Sequence, residues 1–138
     1  MFSVHHGTLS VADLDRSIAF YSHFGFEPVT RWAADDGSLQ IVHLALGGII
    51  LELFCYAANH GKANGRYEVG NDLEQVGVKH LALRVSSLQT AKTLLADLDL
   101  PTGTEISHGR TGIDYFFVQD PDGLWLEIVE DRRSWRDE

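Results

Sequence analysis

Apolar and polar residues alternate in several short stretches of the chain, the period of a strand with one buried face. Val4–Val11 opens the series. Asp13 then stands as an N-cap before a helix from Leu14 to about Phe24, stopped by Gly25, with Leu14, Ile18 and Tyr21 as its apolar stripe. Glu27–Trp32 reads as a second strand, Asp35–Ser38 as a turn, and Leu39–Leu46 as a third strand. Gly47-Gly48 is a tight turn into Ile49–Tyr56. The pattern then recurs. Lys79–Val85 is a strand, and Ser86 with Gln89 has capping-box spacing ahead of a helix through Leu98, with Pro101 after its end. Gly103–His108, Asp114–Gln119 and Leu124–Glu130 complete the second set, the last pair joined by the turn Asp120-Pro121-Asp122-Gly123. The organisation expected is one domain over 1–138, with strand-helix-three-strand modules at 1–57 and 76–131. A polar linker at 58–75 joins them, and a charged tail at 132–138, in which Trp135 can dock, follows.

The two halves match in sequence as well as in pattern. His6-Gly7-Thr8-Leu9-Ser10-Val11 lies over His80-Leu81-Ala82-Leu83-Arg84-Val85, and Gly48-Ile49-Ile50-Leu51-Glu52-Leu53 over Gly123-Leu124-Trp125-Leu126-Glu127-Ile128. His6 precedes Glu52 by 52 − 6 = 46 positions, and His80 precedes Glu127 by 127 − 80 = 47. Strand parity sends Leu9, Val11, Leu51 and Leu53 to the helix side and His6, Thr8, Ser10 and Glu52 to the other; the second half repeats this with His80, Ala82, Arg84 and Glu127. An ionised carboxylate on a mostly apolar face is costly unless it is paired. One divalent metal ion (Ni, Zn, Co, Fe or Mn) shared by His6, Glu52, His80 and Glu127 would pair both carboxylates at once. His5 and His43 are expected to face the helices or solvent, His60 lies in the linker, His108 borders the Gly109–Gly112 loop, and Cys55 is a core thiol.

Composition narrows the partners. Hydrophobic residues make up 44% and charged residues 22%, an ordinary globular balance. Asp and Glu number 20 against 11 Lys and Arg, a net charge of −9 that argues against nucleic acid and anionic membrane as partners. The longest apolar run, Ile49–Tyr56, is interrupted by Glu52 and too short to span a bilayer. One cysteine permits no internal disulfide, and with no leader pattern at Met1–Thr8 the expected location is the cytoplasm.

The segments "HHGTLSVADLDRSIAFYSHFGF", "IILELF", "KHLALRVSSL" and "DPDGLWLEIVE" resemble the vicinal oxygen chelate superfamily, which includes glyoxalase I, methylmalonyl-CoA epimerase, extradiol dioxygenases and bleomycin resistance proteins. The resemblance implies an α+β fold of two βαβββ modules in a curled mixed sheet around a metal cleft, helices outside. The positions that match its ligands are His6, Glu52, His80 and Glu127, a set similar to bacterial glyoxalase I. It implies a lyase or isomerase that transfers a proton next to a metal-bound carbonyl of a small oxygen-rich substrate, with Glu127 or Glu52 as base, and a homodimer. Glyoxalase I usually carries Arg and Asn where this chain has Ser10 and Tyr56, and both departures argue against a glutathionyl substrate. Arg84, Tyr56, Phe54, Arg110, Tyr115 and Trp125 are the candidate substrate contacts, with the Gly109–Gly112 loop as a lid. A non-heme iron dioxygenase on His6, His80 and Glu127, and a non-catalytic drug-binding protein, are the alternatives that the resemblance leaves open.

Overall fold

The computed structural model describes residues 1–59, 72–100 and 102–134. Most of the expected linker, including His60, and also Pro101 and Trp135 lie outside the described residues. The chain divides into two compact units, Met1–Gly65 and Arg66–Glu138. Each carries strand, helix and three strands, so the paired βαβββ organisation holds; the strands pair as two separate four-stranded mixed sheets.

In the first unit the elements are β1 (His6–Ser10), α1 (Leu14–Ser22), β2 (Glu27–Ala33), β3 (Leu39–Leu46) and β4 (Ile49–Tyr56). The sheet order is β1-β4-β3-β2, with β1 and β4 parallel and the other neighbours antiparallel. β1 starts later than the alternation suggests. Met1, Phe2 and Val4 are exposed, and the ladder begins where Ile50 donates its N–H to the His5 carbonyl at 3.1 Å. The Asp13 carboxylate caps α1 by accepting the Arg16 N–H at 3.0 Å. The buried stripe of α1 is Leu14, Ser17, Phe20 and Tyr21, with Ile18 only half-buried. Gly25, at φ +94°, takes the left-handed turn that ends the helix region, and the Phe26 N–H returns to the Tyr21 carbonyl at 3.3 Å. The core consists of Val42, Leu44, Leu51 and Leu53 from one face of the sheet with Val11, Leu14, Phe20 and Tyr21. Each such side chain contributes about 1.5–3 kcal/mol on burial.

The second unit holds β5 (Leu81–Arg84), α2 (Leu88–Asp97), β6 (Ser107–His108), β7 (Asp114–Gln119) and β8 (Trp125–Glu130) in the order β5-β8-β7-β6. The cap of α2 is Ser87, not Ser86. Ser87 has extended backbone, and its hydroxyl accepts the Thr90 N–H at 3.3 Å, while the Glu130 carboxylate takes the Leu88 N–H at 3.1 Å. Asp120 organises the turn into β8. Its Oδ1 accepts the N–H groups of Asp122 and Leu124 at 2.9 and 2.8 Å, and Gly123 supplies φ +80°. Leu88, Leu95, Phe116, Val118, Leu126 and Ile128 form the core.

The strand expected over Gly103–His108 shortens to Ser107–His108 plus a bridge between Thr102 and Val118. The reason is a side chain in a ladder position: Thr104 Oγ1 accepts the Phe117 N–H at 2.9 Å, so the local backbone leaves regular pairing. Gly103 donates its N–H to the Phe117 carbonyl at 2.7 Å while the Trp125 ring covers its Cα. A Cβ at Gly103 would fall 2.6 Å from Trp125 Cζ3 and 3.2 Å from the Phe117 carbonyl oxygen. Gly103→Ala is therefore expected to lower stability by about 1–3 kcal/mol, read as a lower urea midpoint at unchanged m-value. An unchanged midpoint would show that Trp125 yields freely.

Candidate functional site

Register decides which side chains meet on the face opposite each helix. In the first unit Thr8 of β1 and His43 of β3 are both cross-strand partners of Glu52. His6 lies two residues before Thr8 and so shares its face. The Glu52 carboxylate is held from both sides: Thr8 Oγ1 donates to Oε1 at 2.9 Å, and His43 Nε2 donates to Oε2 at 2.7 Å. His6 Nε2 stands 3.8 Å from Oε1, within ion-pair range and beyond a hydrogen bond. The His6 and His43 rings lie nearly parallel, centroids 6.5 Å apart, and the Nδ1 atoms of His5 and His6 share a hydrogen bond of 2.8 Å. The hydrogen bond from His43 holds the Glu52 carboxyl below its ordinary value, aided by Thr8 and by the nearby imidazoles, against the opposing effect of partial burial. Phe54 and Tyr56 continue along the same face of β4, centroids 6.4 Å apart.

The second unit repeats the frame with different neighbours. Ala82 and Phe117 are the cross-strand partners of Glu127, and His80 lies two residues before Ala82. His80 Nε2 donates to Glu127 Oε2 at 3.0 Å, the one hydrogen bond of the Glu127 carboxylate among the described residues. The edge of the His80 ring meets Phe117 with centroids 5.1 Å apart. Phe117 is buried and gathers Tyr115 and Trp125 at 5.6 and 5.9 Å, so these two predicted contacts flank Glu127 through a residue the alternation did not single out.

The remaining predicted residues are placed as follows. Arg84 is exposed and donates Nη2 to the Asp131 carbonyl at 2.6 Å. Arg110 is exposed in the Gly109–Gly112 turn between β6 and β7. That turn is not a free loop: Gly109 and Gly112 close it with backbone hydrogen bonds of 2.7 and 3.0 Å, and Arg133 reaches the Thr111 carbonyl at 3.3 Å. His43 corrects the sequence expectation, since it faces Glu52 and not the helix. Counting back from the two-residue turn at Gly47-Gly48, with Leu46 paired to Ile49, places His43 opposite Glu52 and would have found it. Thr8 depends on the parallel pairing of β1 with β4, which no turn fixes. Among the described residues no group of three or more His, Cys, Asp or Glu is arranged to hold a metal ion.

The comparisons agree with this frame. The chain is 26% identical to a lactoylglutathione lyase of Schizosaccharomyces pombe over 95% of its own length but only 46% of that protein, so it spans about half of that relative. It is 28% identical to a lactoylglutathione lyase of Pseudomonas putida, covering 94% of this chain and 85% of that one. Among solved structures, that of SMU.1112c superposes with a TM-score of 0.77 at 30% identity, covering 94% of this chain and 99% of that chain. The sequence profile of the glyoxalase/bleomycin resistance protein/dioxygenase superfamily matches residues 3–128, within which all four of His6, Glu52, His80 and Glu127 fall. The chain belongs to the glyoxalase/bleomycin resistance protein/dioxygenase superfamily.

Proposed function

We propose that the chain is a metal-dependent lyase or isomerase of the glyoxalase I type, acting on a small oxygen-rich substrate. The observation that carries this reading is the repeated geometry: in each unit a His lies two residues before the strand partner of a Glu, on the face away from the helix. The donor chemistry fits a divalent cation. Two imidazoles and two carboxylates are borderline to hard donors, and each pair is only partly exposed, with side-chain exposure of 18% at Glu52 and 14% at Glu127. His6, Glu52, His80 and Glu127 would hold the ion, one of Ni, Zn, Co, Fe or Mn, which would polarise adjacent substrate oxygens as a Lewis acid.

The chain's own residues divide the remaining work. Glu52 is held at both oxygens, which keeps it in place. Among the described residues the Glu127 carboxylate has His80 as its one side-chain partner, and it stands beside Phe117. A carboxylate so placed can take a proton from a substrate carbon and return it to the neighbouring carbon, so Glu127 is the base in this reading. Tyr115 and Arg110 are near one another, because the turn that carries Arg110 runs close to the Tyr115 ring: a Cβ added at Gly109 would fall 3.4 Å from Tyr115 Cε1. Arg suits a substrate carboxylate or phosphate there.

Glu127→Gln tests the reading. Gln keeps the shape and cannot serve as a base near neutral pH, so metal stays bound while turnover falls about a hundred- to ten-thousandfold. His6→Ala and His80→Ala lower metal content directly. Full turnover in Glu127→Gln moves the base role to Glu52, and a wild-type chain that takes up no divalent metal removes the central claim. The assay is a screen of metal-loaded protein on hemithioacetals, acyl-CoA epimers and catechols. Arg110→Ala is expected to raise KM with little change in kcat on the substrate found; unchanged kcat and KM would remove Arg110 from the mouth. A homodimer is part of the same proposal. It is supported by β2, an edge strand exposed along its whole length, with Val29 and Trp32 at 57% and 53% exposure. Sedimentation equilibrium at micromolar protein is expected to give twice the chain mass, and a monomer would count against it.

A further inference from the structure

The two halves repeat in backbone and differ at both strand partners of the equivalent carboxylates. Glu52 is flanked by Thr8 and His43; Glu127 is flanked by Ala82 and Phe117. Each residue of the first pair carries a side-chain donor and uses it on Glu52, at 2.9 and 2.7 Å. Neither residue of the second pair has a side-chain hydrogen-bonding group. The two halves therefore treat equivalent carboxylates differently, with one clamped and one left to its histidine.

The clamp has a definite consequence. A carboxylate offers two oxygens with about four lone-pair sites between them. Thr8 takes one site on Oε1 and His43 one on Oε2, so rotation of the group is opposed from both ends, and among the described residues one site on each oxygen has no hydrogen-bond donor. His6, at 3.8 Å from Oε1, does not compete for these sites with a hydrogen bond. We infer that His43 is a positioning residue: it holds Glu52 as a fixed anionic donor whose free lone pairs face a divalent cation, a role with no counterpart in the second half. The inference rests on the proposed metal-dependent reading, and names a residue outside its ligand set. Outer partners that orient a ligand typically change metal affinity or activity by about ten- to a hundredfold when removed.

The test uses the full chain loaded with cobalt(II), with affinity measured by competition against a chromophoric chelator and coordination read from the visible spectrum. His43→Phe places in the first half the residue that the second half has. It is expected to weaken cobalt affinity about ten- to a hundredfold and to change the spectrum. His43→Gln, whose amide can still donate to Glu52, is expected to recover most of both. Thr8→Val removes the other donor and is expected to weaken affinity in the same direction, which keeps the test open if His43→Phe does not fold. Wild-type affinity and spectrum in both His43→Phe and Thr8→Val would overturn the positioning role and leave the metal reading standing. A loss in His43→Gln as large as in His43→Phe, with the same altered spectrum, would mark the imidazole as a direct ligand and overturn positioning. A wild-type chain that binds neither cobalt nor another divalent ion would overturn the metal reading, and this inference with it.

Discussion

The parallel pairing of the first and last strand in each unit is the constraint on which the rest depends. β1 lies beside β4 and β5 beside β8 because a helix carries the chain away from the first strand and two antiparallel strands bring it back. Burying Leu51, Leu53, Leu126 and Ile128 under the helices fixes which face of each sheet is apolar. A slip of one residue would turn every side chain over, so apolar burial alone sends Glu52 and Glu127 to the opposite face. The polar site is in this sense a by-product of the core. Its residues require no ordering of their own beyond the strands that carry them.

Within that frame the two halves have diverged where divergence is cheap. The core positions Val42, Leu44, Leu51 and Leu53 of one unit correspond in role to Phe116, Val118, Leu126 and Ile128 of the other, and all are buried. The polar-face positions carry different chemistry: Thr8 against Ala82, and His43 against Phe117. A hydroxyl and an imidazole beside Glu52 favour its anion, which is why its carboxyl lies below the usual range. An aromatic wall beside Glu127 offers no such donor and gives His80 an edge-on surface to rest against.

Much of this was legible from the sequence because strand parity and short turns are local rules. β3, β4 and β7 fall where the alternation puts them, and Asp13 caps α1 as its position before Leu14 suggests. The failures have specific causes. The cap of α2 moved from Ser86 to Ser87 because capping depends on which residue adopts extended backbone, and two adjacent serines offer the same chemistry. The strand before His108 broke because Thr104 spent its hydroxyl on the Phe117 N–H, a tertiary contact with no sequence period. The internal repeat gives no signal for His43, because the equivalent position in the second half is Phe117. A residue that breaks an internal symmetry leaves no echo in the other half.

The same asymmetry bears on how a cation would be received. In the second unit His80 Nε2 and Glu127 Oε2 are bonded at 3.0 Å, so that nitrogen is already engaged with the carboxylate. A cation taken up by that nitrogen would displace the hydrogen bond and require the proton to leave it. In the first unit the bonds to Glu52 come from Thr8 and His43, neither of which belongs to the proposed ligand set. His6 and Glu52 can accept a cation while both of those bonds persist, since His6 Nε2 is 3.8 Å from the carboxylate and not bonded to it. On the proposed reading the first unit is the preformed half and the second the half that must rearrange. On the same reading the base is placed at Glu127, whose strand neighbours Ala82 and Phe117 carry no side-chain donor, and the anchor at Glu52, which Thr8 and His43 hold at both oxygens.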